Sequence, residues 1–273
     1  MSRAQVAQLS RLRTIEGRHN VLLKQLRKAF GSPEPAPDGV FAIEGLRIIE
    51  EGIRSGLRFR TVFFASSAEA KAQRLLPQLG VQVETVMIPD SLFAAAVPTE
   101  TPQGVAALVQ AKVFGLADMW AKSHIGPVIV VAGLQDPGNL GTILRSAEAF
   151  GAAGVLLTEG TVSAFNSKVV RASAGSVFRV PAVKIQIADI LNQLREEKFR
   201  LIATSSHKGT ALPQATLTLP LAIFVGGEGS GLGRDLITKM DEIIAIPHSP
   251  KVESLNAGVA ASIILYEAAR QRQ

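Results

Sequence analysis

Cysteine is missing from all 273 residues. That excludes a disulfide framework and any zinc site built on thiolates, and it fits a reducing compartment. Long apolar runs are missing too: none approaches the ~20 residues needed to span a bilayer. No apolar signal-peptide core follows the basic residues near Met1. The expectation is a cytoplasmic protein with no membrane partner. Histidine is scarce, with four in the chain and no His-x-x-x-His pair, so metal catalysis has no ligand set. No Gly-x-Ser-x-Gly elbow accompanies a serine nucleophile. His248 therefore reads as incidental.

What is present is apolar and unevenly charged. Hydrophobic residues make up 47% of the chain, enough for one large or two modest cores. Among residues 1–30, Arg3, Arg11, Arg13, Arg18, Lys24, Arg27 and Lys28 face Glu16 alone, a local charge of +6 that equals the formal charge of the whole chain. Such a segment suits a phosphate backbone, where released counterions drive binding. A solvated helix face or a frayed tail is the plainer account.

Two patterns meet near residues 110–125. The division expected is a basic arm at 1–16, a smaller α/β domain at 17–110, a linker at 111–125 and a second α/β domain at 126–273. In the first domain Asn20–Phe30 is a basic amphipathic helix. The Pro-rich stretch 31–39 is a loop, Val40–Ile43 a strand, and Gly45–Ser55 a helix. Arg60–Ala65, Val81–Val86 and Gly104–Val109 are further strands. Trp120, in the linker, suits interdomain packing better than an RNA-stacking platform. From Gly126 onward, apolar runs at Val128–Leu134, Val155–Leu157, Leu201–Thr204, Leu221–Val225 and Ile243–Ile246 suit strands of a mostly parallel sheet, buried on both faces. Helical patterns lie between them, at Leu140–Phe150, Ser167–Val177, Ile187–Glu197 and Leu232–Met240. The last helix runs from Ser254 to Arg270, with Leu255, Val259, Ile263 and Ile264 on one side.

Three segments stand at strand ends. In Asp136-Pro137-Gly138-Asn139, Asn139 is the expected N-cap of a helix on which Arg145 points away from the apolar stripe of Leu140, Ile143, Leu144 and Ala147. Arg145 thus sits beside the carboxyl end of a strand, where open α/β sheets bind ligands. On spacing alone, a surface arginine pairing with Glu148 is the simpler account. Residues 226–233 place glycines directly after a strand, which lets backbone approach a ligand. No Gly-Lys-Ser/Thr follows and no window fits G-x-G-x-x-G, so the phosphate-loop readings fail, and a nicotinamide-dependent dehydrogenase, still an open class, is disfavoured. Glu228 in mid-loop would repel a pyrophosphate and fits beside a cation or donor; a plain glycine turn is the competing account. In residues 246–256, N-capping by itself explains Ser254 and Asn256.

Together these segments resemble the SpoU (TrmH-type) branch of the SPOUT RNA methyltransferases. The carriers are Asp136-Pro137-Gly138-Asn139 with Arg145, Gly227-Glu228-Gly229, and Ile246-Pro247 with Ser254-Leu255-Asn256. The resemblance covers residues 126–270. Asn20, Lys24, Phe41, Glu44, Gly45 and the Pro102-Gln103-Gly104 turn also resemble the ribosomal-protein-like substrate-binding domain of that family. A basic residue often found before the Phe-x-x-Glu-Gly strand is replaced by the Pro-rich loop.

The resemblance implies a deep trefoil knot in the second domain, a homodimer, and S-adenosylmethionine as cofactor. It implies methyl transfer to a ribose 2′-hydroxyl, with ribosomal RNA favoured over transfer RNA. Gly226, Gly227, Ile246, Pro247 and Leu255 would surround the cofactor. Asn139, Arg145, Glu228, Ser254 and Asn256 would form the catalytic set, with Arg145 nearest the chemistry. Arg18, Asn20, Lys24 and Arg27 would contact RNA. A base-methylating SPOUT enzyme, a transfer-RNA ribose methyltransferase and a non-catalytic RNA-binding assembly factor are the alternatives.

Overall fold

The computed structural model describes residues 11–227 and 231–273. The chain forms two units, one of residues 1–112 with Phe165–Phe178, the other Val113–Ala164 with Arg179–Gln273. Segment Phe165–Phe178 thus groups with the first unit, a difference from the continuous second domain expected at 126–273.

In the first unit the described elements are strand β1 (Leu12–Thr14), helix α1 (Val21–Gly31), β2 (Val40–Glu44), α2 (Leu46–Arg54), β3 (Arg58–Ala65), α3 (Glu69–Leu75), β4 (Glu84–Ile88), α4 (Asp90–Ala94) and β5 (Val105–Gln110). The strands form a mixed sheet in the order β1-β4-β3-β5-β2, antiparallel where β5 pairs with β3 and β2. Three expectations change. Residues 12–14 of the expected arm are an edge strand in register with Thr85–Met87, and Ile15 is buried behind it; residues 1–10 lie outside the described residues. The strand expected at Val81–Val86 begins only at Glu84, because Val81 is 88% exposed and the chain is still turning. Asn20 is the N-cap of α1, its side-chain oxygen accepting from Leu22 N–H, while Leu23 and Leu26 form the buried face.

Glu44 shows why a carboxylate ends β2. It is buried, and accepts from the Thr99 hydroxyl and from Gln103 N–H, so it ties the 99–103 turn to the sheet. A buried polar group persists only when hydrogen-bonded in this way. Gly45, which follows it, has φ +100°, a conformation that disfavours any side chain.

The second unit contains α5 (Leu116–Trp120), β6 (Val128–Ala132), α6 (Pro137–Ala149), β7 (Gly154–Leu157), β8 (Ala182–Lys184), α8 (Ile187–Glu196), β9 (Arg200–Ser205), β10 (Thr210–Ala211), β11 (Leu221–Gly226), α9 (Arg234–Ile237), β12 (Glu242–Ala245) and α10 (Ala257–Arg270); α7 (Ser167–Ala172) falls in the first unit. Its seven strands are parallel throughout, ordered β10-β12-β9-β11-β6-β7-β8. Strands β6 and β11, at the centre of the sheet, carry no polar side chain, because both faces are covered. Val128, Val130, Leu201, Ala203, Ala222 and Phe224 pack with Ile190 and Leu194 of α8 on one side. Helices α6 and α10 pack against each other, and they meet β7 and β11 respectively.

Part of the expected linker is structured. Met119 of α5 is fully buried, and Trp120 packs on Phe199 with ring centroids 5.3 Å apart. The tryptophan therefore serves the core of its own unit. Helix α6 starts two residues before the expected N-cap. Asp136 is the cap, its carboxylate accepting from Asn139 N–H at 2.7 Å, and Asn139 is buried in the first turn. The Leu232–Met240 helix contracts to the single turn of α9. On α10 the expected apolar side is divided: Ile264 is buried with Ala261, Leu265 and Ala268, whereas Val259 and Ile263 are exposed beside Tyr266.

Candidate active site

The carboxyl ends of β12, β9 and β11, neighbours in the parallel sheet, open into a cleft of about 610 Å³. A cleft in that place is where open α/β sheets hold ligands, and the volume lies within the ~300–1,000 Å³ usual for small-molecule sites. Apolar side chains of Val225, Ile244, Ile246, Leu255 and Ile264 line it, together with polar Thr204, Ser205, Ser254 and Asn256.

Gly226 and Gly227, also in the lining, are glycines for a steric reason. A Cβ at Gly226 would lie 2.2 Å from the Gly231 carbonyl carbon, and one at Gly227 would lie 2.5 Å from the Gly133 carbonyl oxygen. Real Cβ atoms do not approach that closely, so backbone has taken the space of side chains. Gly227 N–H donates to Ala132 O at 2.9 Å, and Gly231 N–H returns to Gly227 O at 3.1 Å.

These approaches join the three segments singled out in the sequence. The Gly133 backbone, leading into the first segment, meets Gly227 of the second. Gly258, just after the third, lies against Thr142 and Asn139 of α6: a Cβ there would be 3.0 Å from Thr142 Cβ and 3.2 Å from Asn139 Oδ1. The Ser146 and Ser262 hydroxyls hydrogen-bond at 2.6 Å one turn further along the same pair of helices. Asn256 caps α10, accepting from Val259 N–H at 3.1 Å, while Ser254 lies before the helix begins.

Not every expected site residue lines the cleft. Gly226, Gly227, Ile246, Ser254, Leu255 and Asn256 do; Pro247 and Asn139 do not, Asn139 lying against Gly258 of α10. Arg145 stands on the exposed side of α6. Its simplest alternative partner is taken, because Glu148 forms a two-pronged ion pair with Arg179. Among the described residues Arg145 has no hydrogen-bond or ion-pair partner. Glu228 lies outside the described residues. In the first unit Arg18 and Lys24 are exposed, and Arg27 donates to the Arg18 carbonyl at 3.2 Å. Among the described residues no group of three His, Asp or Glu is arranged to hold a metal, and no helix is long and apolar enough to cross a membrane.

The sequence reading missed Thr204, Ser205, Ser206 and His207, which follow or end β9, and it set His248 aside; all five line the cleft. The register of β9 beside β12 was the missing signal, since it brings residues 40 positions apart to one rim.

A cleft walled by glycine backbone and apolar side chains, at the ends of a parallel sheet, defines the class: an α/β protein with a cleft suited to a small organic ligand. The chain belongs to the SpoU rRNA methylase family, whose model matches residues 126–266, and an MRM3-like substrate-binding domain matches residues 34–107. It is 30% identical to the 23S rRNA (guanosine(2553)-2′-O)-methyltransferase RlmP of Bacillus subtilis, over 93% of this chain and 98% of that one. Its fold matches the SpoU methyltransferase AviRb of Streptomyces viridochromogenes in complex with AdoMet, with TM-score 0.80, 28% identity, and 93% and 98% of the two chains covered. An rRNA methyltransferase from Sinorhizobium meliloti shares the fold at TM-score 0.82 and 23% identity, over 96% and 99% of the chains.

Proposed function

We propose that this protein transfers the methyl group of S-adenosylmethionine to a ribose 2′-hydroxyl of ribosomal RNA, working as a cytoplasmic homodimer. The observation that carries the reading is the close approach of the three segments to one another, through Gly133–Gly227 and Asn139–Gly258, with the second and third lining the cleft. Membership of the family and likeness to the B. subtilis 23S rRNA enzyme support the reaction and the RNA class. The trefoil knot of the resemblance is part of this proposal.

The residues present fit the cofactor. Apolar walls at Val225, Ile246 and Leu255 suit the faces of an adenine, and the backbone groups of 226–227, 246 and 255 suit its edge. Bound there, S-adenosylmethionine supplies an activated methyl on a sulfonium. The chain itself must align a ribose oxygen with that methyl and help the hydroxyl lose its proton. A guanidinium donates hydrogen bonds and does not give up its proton in proteins. Arg145 therefore positions the ribose and a neighbouring phosphate and stabilises the developing oxyanion, while the proton passes to phosphate or water. Asn139, Glu228, Ser254 and Asn256 orient the substrate against Arg145.

The dimer is argued from α10, where Val259, Ile263 and Tyr266, at i, i+4 and i+7, form an exposed apolar stripe. Arg18, Asn20, Lys24 and Arg27, around the start of α1, supply RNA affinity. The test is nucleoside analysis of ribosomal RNA incubated with the protein and S-adenosylmethionine. A 2′-O-methylnucleoside is the expected product; a base-methylated nucleoside would favour the alternative chemistry, and methylation of transfer RNA alone would move the substrate.

A further inference from the structure

Two histidines of the cleft have no role in the chemistry described above. Strands β9 and β12 pair in parallel with Ser205 opposite Ala245, so the segments leaving their carboxyl ends run out side by side. His207 stands on one and His248 on the other, and both line the cleft. Their rings stack, with centroids 5.4 Å apart and planes at 29°. His248 Nδ1 lies 2.7 Å from the Ile246 carbonyl oxygen. A carbonyl only accepts, so Nδ1 carries the proton of this hydrogen bond. The other nitrogen, Nε2, is buried and has no partner among the described residues. The hydrogen bond of this ring is therefore spent on Ile246.

We propose that His248 is a positioning residue of the cofactor cleft. Its Nδ1–H fixes the peptide of Ile246, and His207, stacked on it, holds the ring in place. The inference rests on the cofactor reading above, in which the backbone at Ile246 meets the adenine edge. A carbonyl oxygen has two lone pairs, so the bond to His248 leaves one for a ligand N–H. Between β12 and α10 the chain contains only turns and irregular backbone. Without a side-chain tether, ordering of that segment would be charged against ligand affinity. The pair of histidines also links the exits of two adjacent strands, so the rim is set before the ligand arrives.

The test is calorimetric titration of the full chain with S-adenosylmethionine and, separately, with 5′-methylthioadenosine, which keeps the adenosine but lacks the amino-acid end. His248→Ala weakens both ligands by the same factor, about tenfold, equivalent to the ~1.4 kcal/mol within the range of one hydrogen bond. His248→Asn, which puts an amide N–H near the Nδ1 position, stays within about threefold of the parent. His248→Gln, whose amide reaches toward the Nε2 position, binds as weakly as His248→Ala. His207→Ala costs about threefold, and His207→Phe restores it by replacing the stacked ring. Thermal melts confirm that each variant is folded. Parent-like binding by His248→Ala overturns the inference, as does rescue by Gln in place of Asn. A loss confined to S-adenosylmethionine also overturns it, by placing the interaction at the amino-acid end. Failure of the parent protein to bind either ligand overturns the cofactor reading itself, a separate result. If His248→Asn fails to fold, the His207→Ala and His207→Phe pair decides.

Discussion

The two sheets of this protein carry candidate sites of different kinds. The first, mixed and five-stranded, carries its candidate binding residues as exposed basic side chains around α1, where Arg18 and Lys24 reach solvent. The second, parallel and seven-stranded, has its candidate site in a cleft where backbone replaces side chain, at Gly226 and Gly227. Long charged side chains act through additive electrostatics that salt screens. Close-packed backbone cannot give way by degrees. Substitutions in the second sheet should therefore be abrupt, and those in the first graded.

The sharpest break in that comparison is Gly227→Ala. Its Cβ would sit 2.5 Å from the Gly133 carbonyl oxygen, so the loop must shift. Binding of S-adenosylmethionine should fall by more than ~100-fold, about 2.7 kcal/mol, as read by calorimetry. Binding within threefold of the parent would show that the glycines are not needed for close approach. Next in size is the exposed stripe on α10. Replacing Ile263 and Tyr266 together by Asp should convert a dimer to a monomer in analytical ultracentrifugation, because two desolvated carboxylates cost several kcal/mol at an apolar interface. A monomeric parent would refute the dimer outright.

The graded side is tested by Lys24→Ala and Arg27→Ala. Each should weaken RNA binding about three- to tenfold and reduce the slope of log K against log salt by ~0.7–0.9 for each phosphate no longer neutralised. An unchanged slope would remove that residue from the RNA surface. The smallest effect concerns Asp241, which leads into β12. Burial alone would raise its carboxyl, but Leu201 N–H at 2.7 Å and the Arg195 guanidinium hold it below the usual value. A lowered folded-state value means stability present above the unfolded carboxylate pKa of ~3.9 and lost as pH falls through the lower folded value. Asp241→Asn should lower the melting temperature by a few degrees at neutral pH and lose that difference in acid. A difference that persists at acid pH would assign the effect to packing.

The second sheet is the more legible in the sequence, for a physical reason. Strands buried on both faces read as unbroken apolar runs, so Val128, Leu201 and Leu221 announce themselves. The first sheet hides its edge strand at Leu12–Thr14 under a basic tail, because an edge strand needs only one partner and tolerates exposed arginines. Helix ends are harder. Asp136 and Asn139 are both good caps, and only the fold shows that Asp136 takes that place and leaves Asn139 buried against α10. The apolar face of α10 misleads for another reason: periodicity groups Val259 and Ile263 with the core, but it does not distinguish a core from an exposed apolar stripe. His248 looks incidental when histidines are counted along the chain, whereas its relation to His207 arises from strand register.

In the proposed function three segments, distant in sequence, make one methyl-transfer site with Arg145 nearest the reacting oxygen. Arg145→Ala tests it most directly, with S-adenosylmethionine affinity and RNA methylation rate measured on the same preparation. The expected result is a rate reduced by about 10²–10³, as when one oxyanion-stabilising donor is removed, with cofactor affinity within threefold of the parent. Full methyl transfer by that variant would contradict the catalytic assignment, and loss of cofactor binding would move Arg145 into the cofactor site instead.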